Sequence, residues 1–140
     1  MKIYLIGSLR NPVVPALADE LRMLGFDVFD DWFAAGEKAD DSWQAYERGR
    51  GRTFAEALRG LAARHVFEFD RHHLLESDIG VLILPAGKSG HLEAGLLVGR
   101  GKPVYALLPE EPERFDFMYA FLSDVFTDQE DLLDALRPLV

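Results

Sequence analysis

Ile79-Gly80-Val81-Leu82-Ile83-Leu84, a turn from Pro85 to Gly90, and then His91-Leu92-Glu93-Ala94-Gly95-Leu96-Leu97-Val98-Gly99: the reading of this stretch decides the fold. A short continuous apolar run bounded by turn residues is a strand buried on both faces. The run after Gly90 is apolar or small almost throughout, and a helix apolar on nearly every side is expected to be buried. Glu93 is its exception. The spacing puts this carboxylate in the first turn of the helix, just past the carboxyl end of a strand, where open α/β sheets keep their ligands. A first-turn Glu can simply complement the helix dipole, but such a residue normally faces water. A buried one costs free energy unless something pairs with it or uses it.

Working outward, Ile3 to Ile6 reads as another buried strand, closed by Gly7-Ser8. Asn11 suits an N-cap and Pro12 a first helical residue, which predicts a helix from Pro12 to about Leu24 with Val13, Leu17, Leu21 and Leu24 at helical spacing. Gly25 stops it, and Phe26 to Phe29 alternates as a second strand. Strand, helix and strand in that order form a right-handed parallel unit. Lys102 to Leu108 is the fourth strand and Val125-Phe126 a short fifth. Thr127 and Glu130 then have capping-box spacing for a terminal helix reaching Leu136. The middle of the chain is polar and aromatic, with Trp32, Phe33, Trp43, Tyr46 and Phe54. Helical character around Ser42 to Arg64 is interrupted by Gly49 and Gly51, and a helix from Asp70 to about Glu76 leads into the third strand. Residues 30–73 therefore read as an insertion over the sheet edge. With no repeat and no linker, residues 1–140 read as a single domain.

Five strands alternating with helices predict an α/β fold: a flavodoxin-like, doubly wound, five-stranded parallel sheet of order 2-1-3-4-5 with helices on both faces. Strands one and three are neighbours at the switch point. The loop Gly7 to Asn11 then faces the turn Pro85 to Gly90, and Tyr4, in mid-strand, is placed to send its hydroxyl toward the crevice.

The bulk numbers narrow the function classes. A chain of 140 residues, 49% hydrophobic and 28% charged, is ordinary for a globular domain with one core. A net charge of −9 argues against duplex nucleic acid or an anionic membrane as partner, since both need a basic face. Without cysteine there is no disulfide and no thiolate chemistry. No apolar stretch approaches the ~20 residues that span a bilayer. The first residues form a strand rather than a signal peptide, and the expected location is the cytoplasm.

Gly7-Ser8-Leu9-Arg10-Asn11 before a helix offers backbone N–H groups, a hydroxyl and a guanidinium to an anion; a tight turn with a surface arginine has the same signature. Ala86-Gly87-Lys88-Ser89-Gly90 lacks the leading glycine and four-residue spacer of a phosphate loop, which excludes a Walker-type triphosphatase. Asp70 and Asp78 are the other carboxylates near the third strand; the first can be a helix N-cap and the second a loop residue or cap. His65, His72, His73 and His91 lack two-His ligand spacing, so no metal and no cofactor is expected. A phospho-receiver needs acids after strand one and an acceptor Asp after strand three, where this chain has Gly7-Ser8 and Pro85-Ala86.

The ordered set formed by Ile3-Tyr4, Asp70, Ser77-Asp78, Glu93-Ala94-Gly95, Gly101-Lys102-Pro103-Val104, Met118 and Ser123-Asp124 resembles the nucleoside 2-deoxyribosyltransferase family and its relatives, the 2′-deoxynucleoside 5′-phosphate N-hydrolases. The match runs over most of the chain and is weakest from Asp31 to Phe69. The resemblance implies cleavage of the N-glycosidic bond of a small-molecule (deoxy)nucleoside or its 5′-monophosphate, with transfer to another base or to water. Glu93 matches the nucleophile that forms a covalent glycosyl-enzyme, and Tyr4 the tyrosine that orients it. Asp70 matches the acid that manages protonation of the leaving base, with Asp78 in reserve. Gly7, Ser8 and Arg10 resemble the phosphate-gripping loop of the N-hydrolases, to which Ser89 and Gly90 add. Two positions depart from the transferases. Gly87 stands where they carry a sugar-binding Asp, so that contact either shifts to Ser89 or is lost. Asp116 stands where they carry an Asn; in the same pocket its charge would oppose a phosphate. The segment around Met118 completes a neighbouring subunit's site in that family, implying a homodimer or larger homo-oligomer with shared active sites. Two other functions fit the same pocket: a non-catalytic nucleotide sensor, disfavoured if Tyr4 reaches Glu93, and a glycosidase of NAD-type dinucleotides, which needs a wider cleft.

Overall fold

The computed structural model describes all 140 residues. Five strands, β1 (Lys2–Ile6), β2 (Asp27–Phe29), β3 (Ile79–Ile83), β4 (Val104–Leu107) and β5 (Asp124–Phe126), form one parallel sheet in the order β2-β1-β3-β4-β5. This is the doubly wound order expected from the alternation of strands and helices. Six α-helices accompany them: α1 (Val13–Leu24), α2 (Ala39–Gly49), α3 (Phe54–Leu58), α4 (Leu61–Glu76), α5 (Lys88–Gly99) and α6 (Gln129–Leu136). None is long and apolar enough to cross a membrane.

Strand alternation divides the core in two. Ile3, Leu5, Val81 and Ile83 face Val14, Leu17 and Leu21 of α1 and Leu132, Leu133 and Leu136 of α6. Tyr4, Ile6 and Leu82 face the other way, toward Leu74 of α4 and Ala94 and Leu97 of α5. All five residues of β3 are buried, as a strand covered on both faces requires. Gly80, paired in register with Tyr4, has a special reason to be glycine: a Cβ there would lie 2.5 Å from Leu97 Cδ1. The missing side chain lets α5 lie close on the sheet beside the tyrosine.

The polar middle of the chain is more helical than its composition indicates. It opens with a 3-10 turn over Asp31–Ala35 and continues through α2, α3 and α4. Gly49 ends α2 and Gly51, at φ +75°, turns the chain. Glu47 is buried there and accepts from Arg52 Nη1 at 2.7 Å. Thr53 and Glu56 form a reciprocal capping box at the start of α3. The expected short helix from Asp70 is instead the second half of a 16-residue α4. Asp70 is therefore no N-cap. Nothing in His65 to Phe69 breaks a helix; the aromatic and β-branched side chains only lower its propensity, and packing of Phe69 and His73 against Phe29 of β2 compensates.

Smaller corrections have equally local causes. Pro12 precedes α1 rather than opening it, and the Asn11 side chain accepts from the Val13 N–H at 3.0 Å. The last helix is capped by Asp128, which accepts from the Glu130 N–H at 3.1 Å, not by Thr127. Helix α5 starts at Lys88, so Glu93 lies in its second turn rather than its first. Nor is α5 buried all round: only Gly90, Ala94 and Leu97 are, while Leu92 is 76% exposed.

Candidate active site

Tyr4 and Glu93 meet. The Tyr4 hydroxyl donates to Glu93 Oε2 at 2.6 Å, across 89 residues of sequence. Tyr4 projects from the middle of β1 on the α5 side; Glu93 projects toward it from α5, held down by Ala94 and Leu97. Gly90, one turn earlier, is the second close approach: a Cβ there would sit 3.1 Å from Ile6 Cγ2 and 3.2 Å from Ala86 Cβ. On its other side the Tyr4 ring packs on Phe29, with 5.1 Å between centroids.

The electrostatics follow from this burial. Glu93 is pushed up from an ordinary 4.5 to about 7, chiefly by desolvation; the Tyr4 hydrogen bond works the other way, and the charge of Asp70 adds to the rise. Tyr4 itself is pushed far up by burial and by Glu93, so it stays a hydrogen-bond donor. The Asp70 carboxyl, half-buried in the middle of α4, is also raised by desolvation. Two carboxyls in one cavity with raised affinities for protons, one of them held by a neutral phenol, are the ingredients of nucleophilic and acid catalysis.

These groups open into a cavity of about 690 Å³, ample for a nucleotide-sized ligand. Its floor is Tyr4 and Glu93. One side is the β1 loop, Gly7 to Arg10; a second is the first turn of α5, Gly87 to Gly90; a third is the α4 face with His65, Val66, Phe69 and Asp70. The 3-10 turn, the link after it and the start of α2 supply Asp31, Trp32, Glu37, Asp40 and Asp41. Trp32 is fixed by its indole N–H, which donates to the Leu5 carbonyl at 2.8 Å. The β1 loop is preshaped by the Arg10 and Asn11 N–H groups, which bond to Ser8 Oγ and Ser8 O, both at 3.1 Å.

Of the residues singled out by sequence, Tyr4, Gly7, Ser8, Arg10, Asp70, Gly87, Ser89, Gly90 and Glu93 line this one cavity. Three do not. Asp78 is exposed at the opposite, amino-terminal end of β3, where it accepts from the Lys2 N–H at 2.8 Å. It is a strand-end cap, too distant to stand in for Asp70. Asp116 accepts from the Met118 N–H at 2.9 Å, capping the 3-10 turn Phe117–Phe121, and Met118 is exposed on that turn. Asp116 therefore does not line the cavity of its own chain. Its segment is tied to α5 by His91, whose Nε2 lies 2.7 Å from the Tyr119 hydroxyl. Sequence reasoning missed Lys88, Trp32, Asp41 and the His65–Val66–Phe69 face. Lys88 stood within the quoted turn, but the others lie in the middle segment, whose path no local pattern gave away.

No family model and no curated protein sequence matches the chain. Its fold does match solved structures. A 2-deoxyribosyltransferase from the psychrotolerant bacterium Bacillus psychrosaccharolyticus is 24% identical, with a TM-score of 0.66 over 94% of this chain and 90% of that one. A conserved protein from Enterococcus faecalis V583 is 16% identical, with a TM-score of 0.68 over 100% and 99% of the two chains. The CMP N-glycosidase BcmB of Clostridium botulinum is 13% identical, with a TM-score of 0.54 over 97% and 98%. In fold, the chain is similar to a 2-deoxyribosyltransferase and a CMP N-glycosidase, as its sequence resemblance led one to expect.

Proposed function

We propose that this chain, acting as one domain, is an enzyme that cleaves the N-glycosidic bond of a deoxynucleoside or its 5′-monophosphate. The observation that carries the reading is the 2.6 Å Tyr4–Glu93 hydrogen bond on the floor of the cavity, with Asp70 close enough to act on the same carboxyl. Ionised Glu93 attacks the anomeric carbon as the bond to the base breaks. The bonding pair leaves with the base, and protonated Asp70 supplies the proton that neutralises it. Water or a second base then attacks the same carbon, expels Glu93 and returns a proton to Asp70. Tyr4 holds the nucleophile in one orientation and lowers the cost of keeping it ionised. Solved structures of a 2-deoxyribosyltransferase and a CMP N-glycosidase with the same fold support bond cleavage of this class. The Tyr4–Glu93 contact also speaks against a sensor that kept only the pocket.

The Gly7–Arg10 loop, Lys88 and the first turn of α5 surround one corner of the cavity and suit the 5′ end of the substrate. Met118 and Asp116, outside the cavity on an exposed segment, fit a role in a neighbouring subunit's site, and we take the active form to be a homo-oligomer. The test is chromatography of free base released from deoxynucleosides and their 5′-monophosphates, with and without an acceptor base. Release that disappears in Glu93→Ala, with the fold intact by circular dichroism, is expected. Full activity in that variant would sink the mechanism.

A further inference from the structure

Arg10 is the only guanidinium lining the cavity, and it is already engaged. Its Nη2 lies 3.3 Å from Asp41 Oδ2, in the first turn of α2. The loop beneath it is fixed by its hydrogen bonds to Ser8, so only the arginine side chain is free to turn toward a ligand. The rest of the lining deepens the imbalance. Arg10 and Lys88 are the fixed cations; Asp31, Glu37, Asp40, Asp41, Asp70 and Glu93 are the carboxyls.

A phosphate arriving at the corner formed by Ser8, Arg10 and Lys88 must share Arg10 with Asp41, or take it, and in either case sit beside the Asp41 carboxylate. A 5′-hydroxyl meets neither obstacle. The geometry points to Asp41 as the specificity-determining residue of the cavity: through its ion pair with Arg10 it favours the uncharged nucleoside over the nucleoside 5′-monophosphate. This rests on the reading of that corner as the 5′ subsite. Because both partners are about two-thirds exposed, the ion pair is weak in itself. Most of the discrimination comes from the like charge left beside the phosphate, and roughly a tenfold effect is the scale to expect.

The experiment is calorimetric titration of 2′-deoxynucleosides and their 5′-monophosphates into Glu93→Ala protein, which holds substrate without turning it over, with and without Asp41→Asn. The parent is expected to bind nucleosides more tightly than their monophosphates. Asp41→Asn should raise the ratio of monophosphate to nucleoside affinity about tenfold, and adding Arg10→Gln should erase that gain. A parent that prefers monophosphates, or a ratio that Asp41→Asn leaves unchanged, overturns the role of Asp41 while leaving the glycosidic reading intact. If no nucleoside or nucleotide binds any variant, the underlying reading fails and this inference with it.

Discussion

The phenolic proton of Tyr4 sets the working range of Glu93. Burial raises the carboxyl, the hydrogen bond lowers it, and the balance lies at about 7. In the proposed mechanism Glu93 attacks ionised while Asp70 still holds the proton for the base, so kcat/KM is expected to be bell-shaped in pH, with the Glu93 value of about 7 setting one of its two limbs. Removing the hydroxyl in Tyr4→Phe deletes the one lowering contribution, so the limb set by Glu93 should move to higher pH and the maximum should fall. A pH–rate profile of the two proteins checks this; superimposed profiles would make Tyr4 a core residue only. Glu93 was legible in the sequence because it breaks a local rule, a lone carboxylate in an apolar helix; the strand position of Tyr4 put its hydroxyl toward the crevice, but its pairing with Glu93 came only with the family resemblance. Arg10 and Asp41 had no such signal: 31 residues apart, both are ordinary surface charges until the fold brings them together.

At the level of elements, α5 carries the site and its glycines divide into two kinds. Gly90 lies against Ile6 and Ala86, and the Ala86 Cβ cannot rotate away. Gly95, on the same helix, is exposed with nothing within 4 Å of a Cβ. Gly95→Ala is expected to stabilise by up to about 1 kcal/mol through helix propensity. Gly90→Val should destabilise by about 1–3 kcal/mol through overpacking, lift the first turns of α5 and cost activity by parting Glu93 from Tyr4. Thermal unfolding with parallel assays separates the two; equal effects from both would mean that α5 is not seated by Gly90. The strands and α5 were readable because burial on both faces leaves an unbroken apolar run. The continuity of α4 was not, because Val66, Phe67 and Phe69 are indifferent helix formers on their own. The packing of Phe69 and His73 onto Phe29 belongs to the tertiary structure.

Over the whole molecule, the cavity takes its floor and walls from four stretches far apart in the chain, while apolar side chains are left without cover both on α3 and α4 and on the segment after β4. Phe115, Phe117, Met118 and Phe121 are each more than half exposed, and so is Leu92 on α5, next to the His91 that bonds to Tyr119. Five large apolar side chains on this segment and the helix it is tied to, in a chain with net charge −9, are too many for a surface that meets only water. Covering them with a second copy would bring the Met118 segment of one subunit to its neighbour. Light scattering is therefore expected to give a dimer or larger assembly at micromolar concentration. Phe117→Asp together with Phe121→Asp should shift it toward monomer, since each change buries a charge at the contact. Activity tells the rest: if Met118 completes the neighbour's site, the monomeric variant should lose base release while keeping the Tyr4–Glu93 geometry and its folded state. A fully active monomer would show instead that the cavity between β1, α4 and α5 is complete within one chain, and that the exposed phenylalanines serve some other contact.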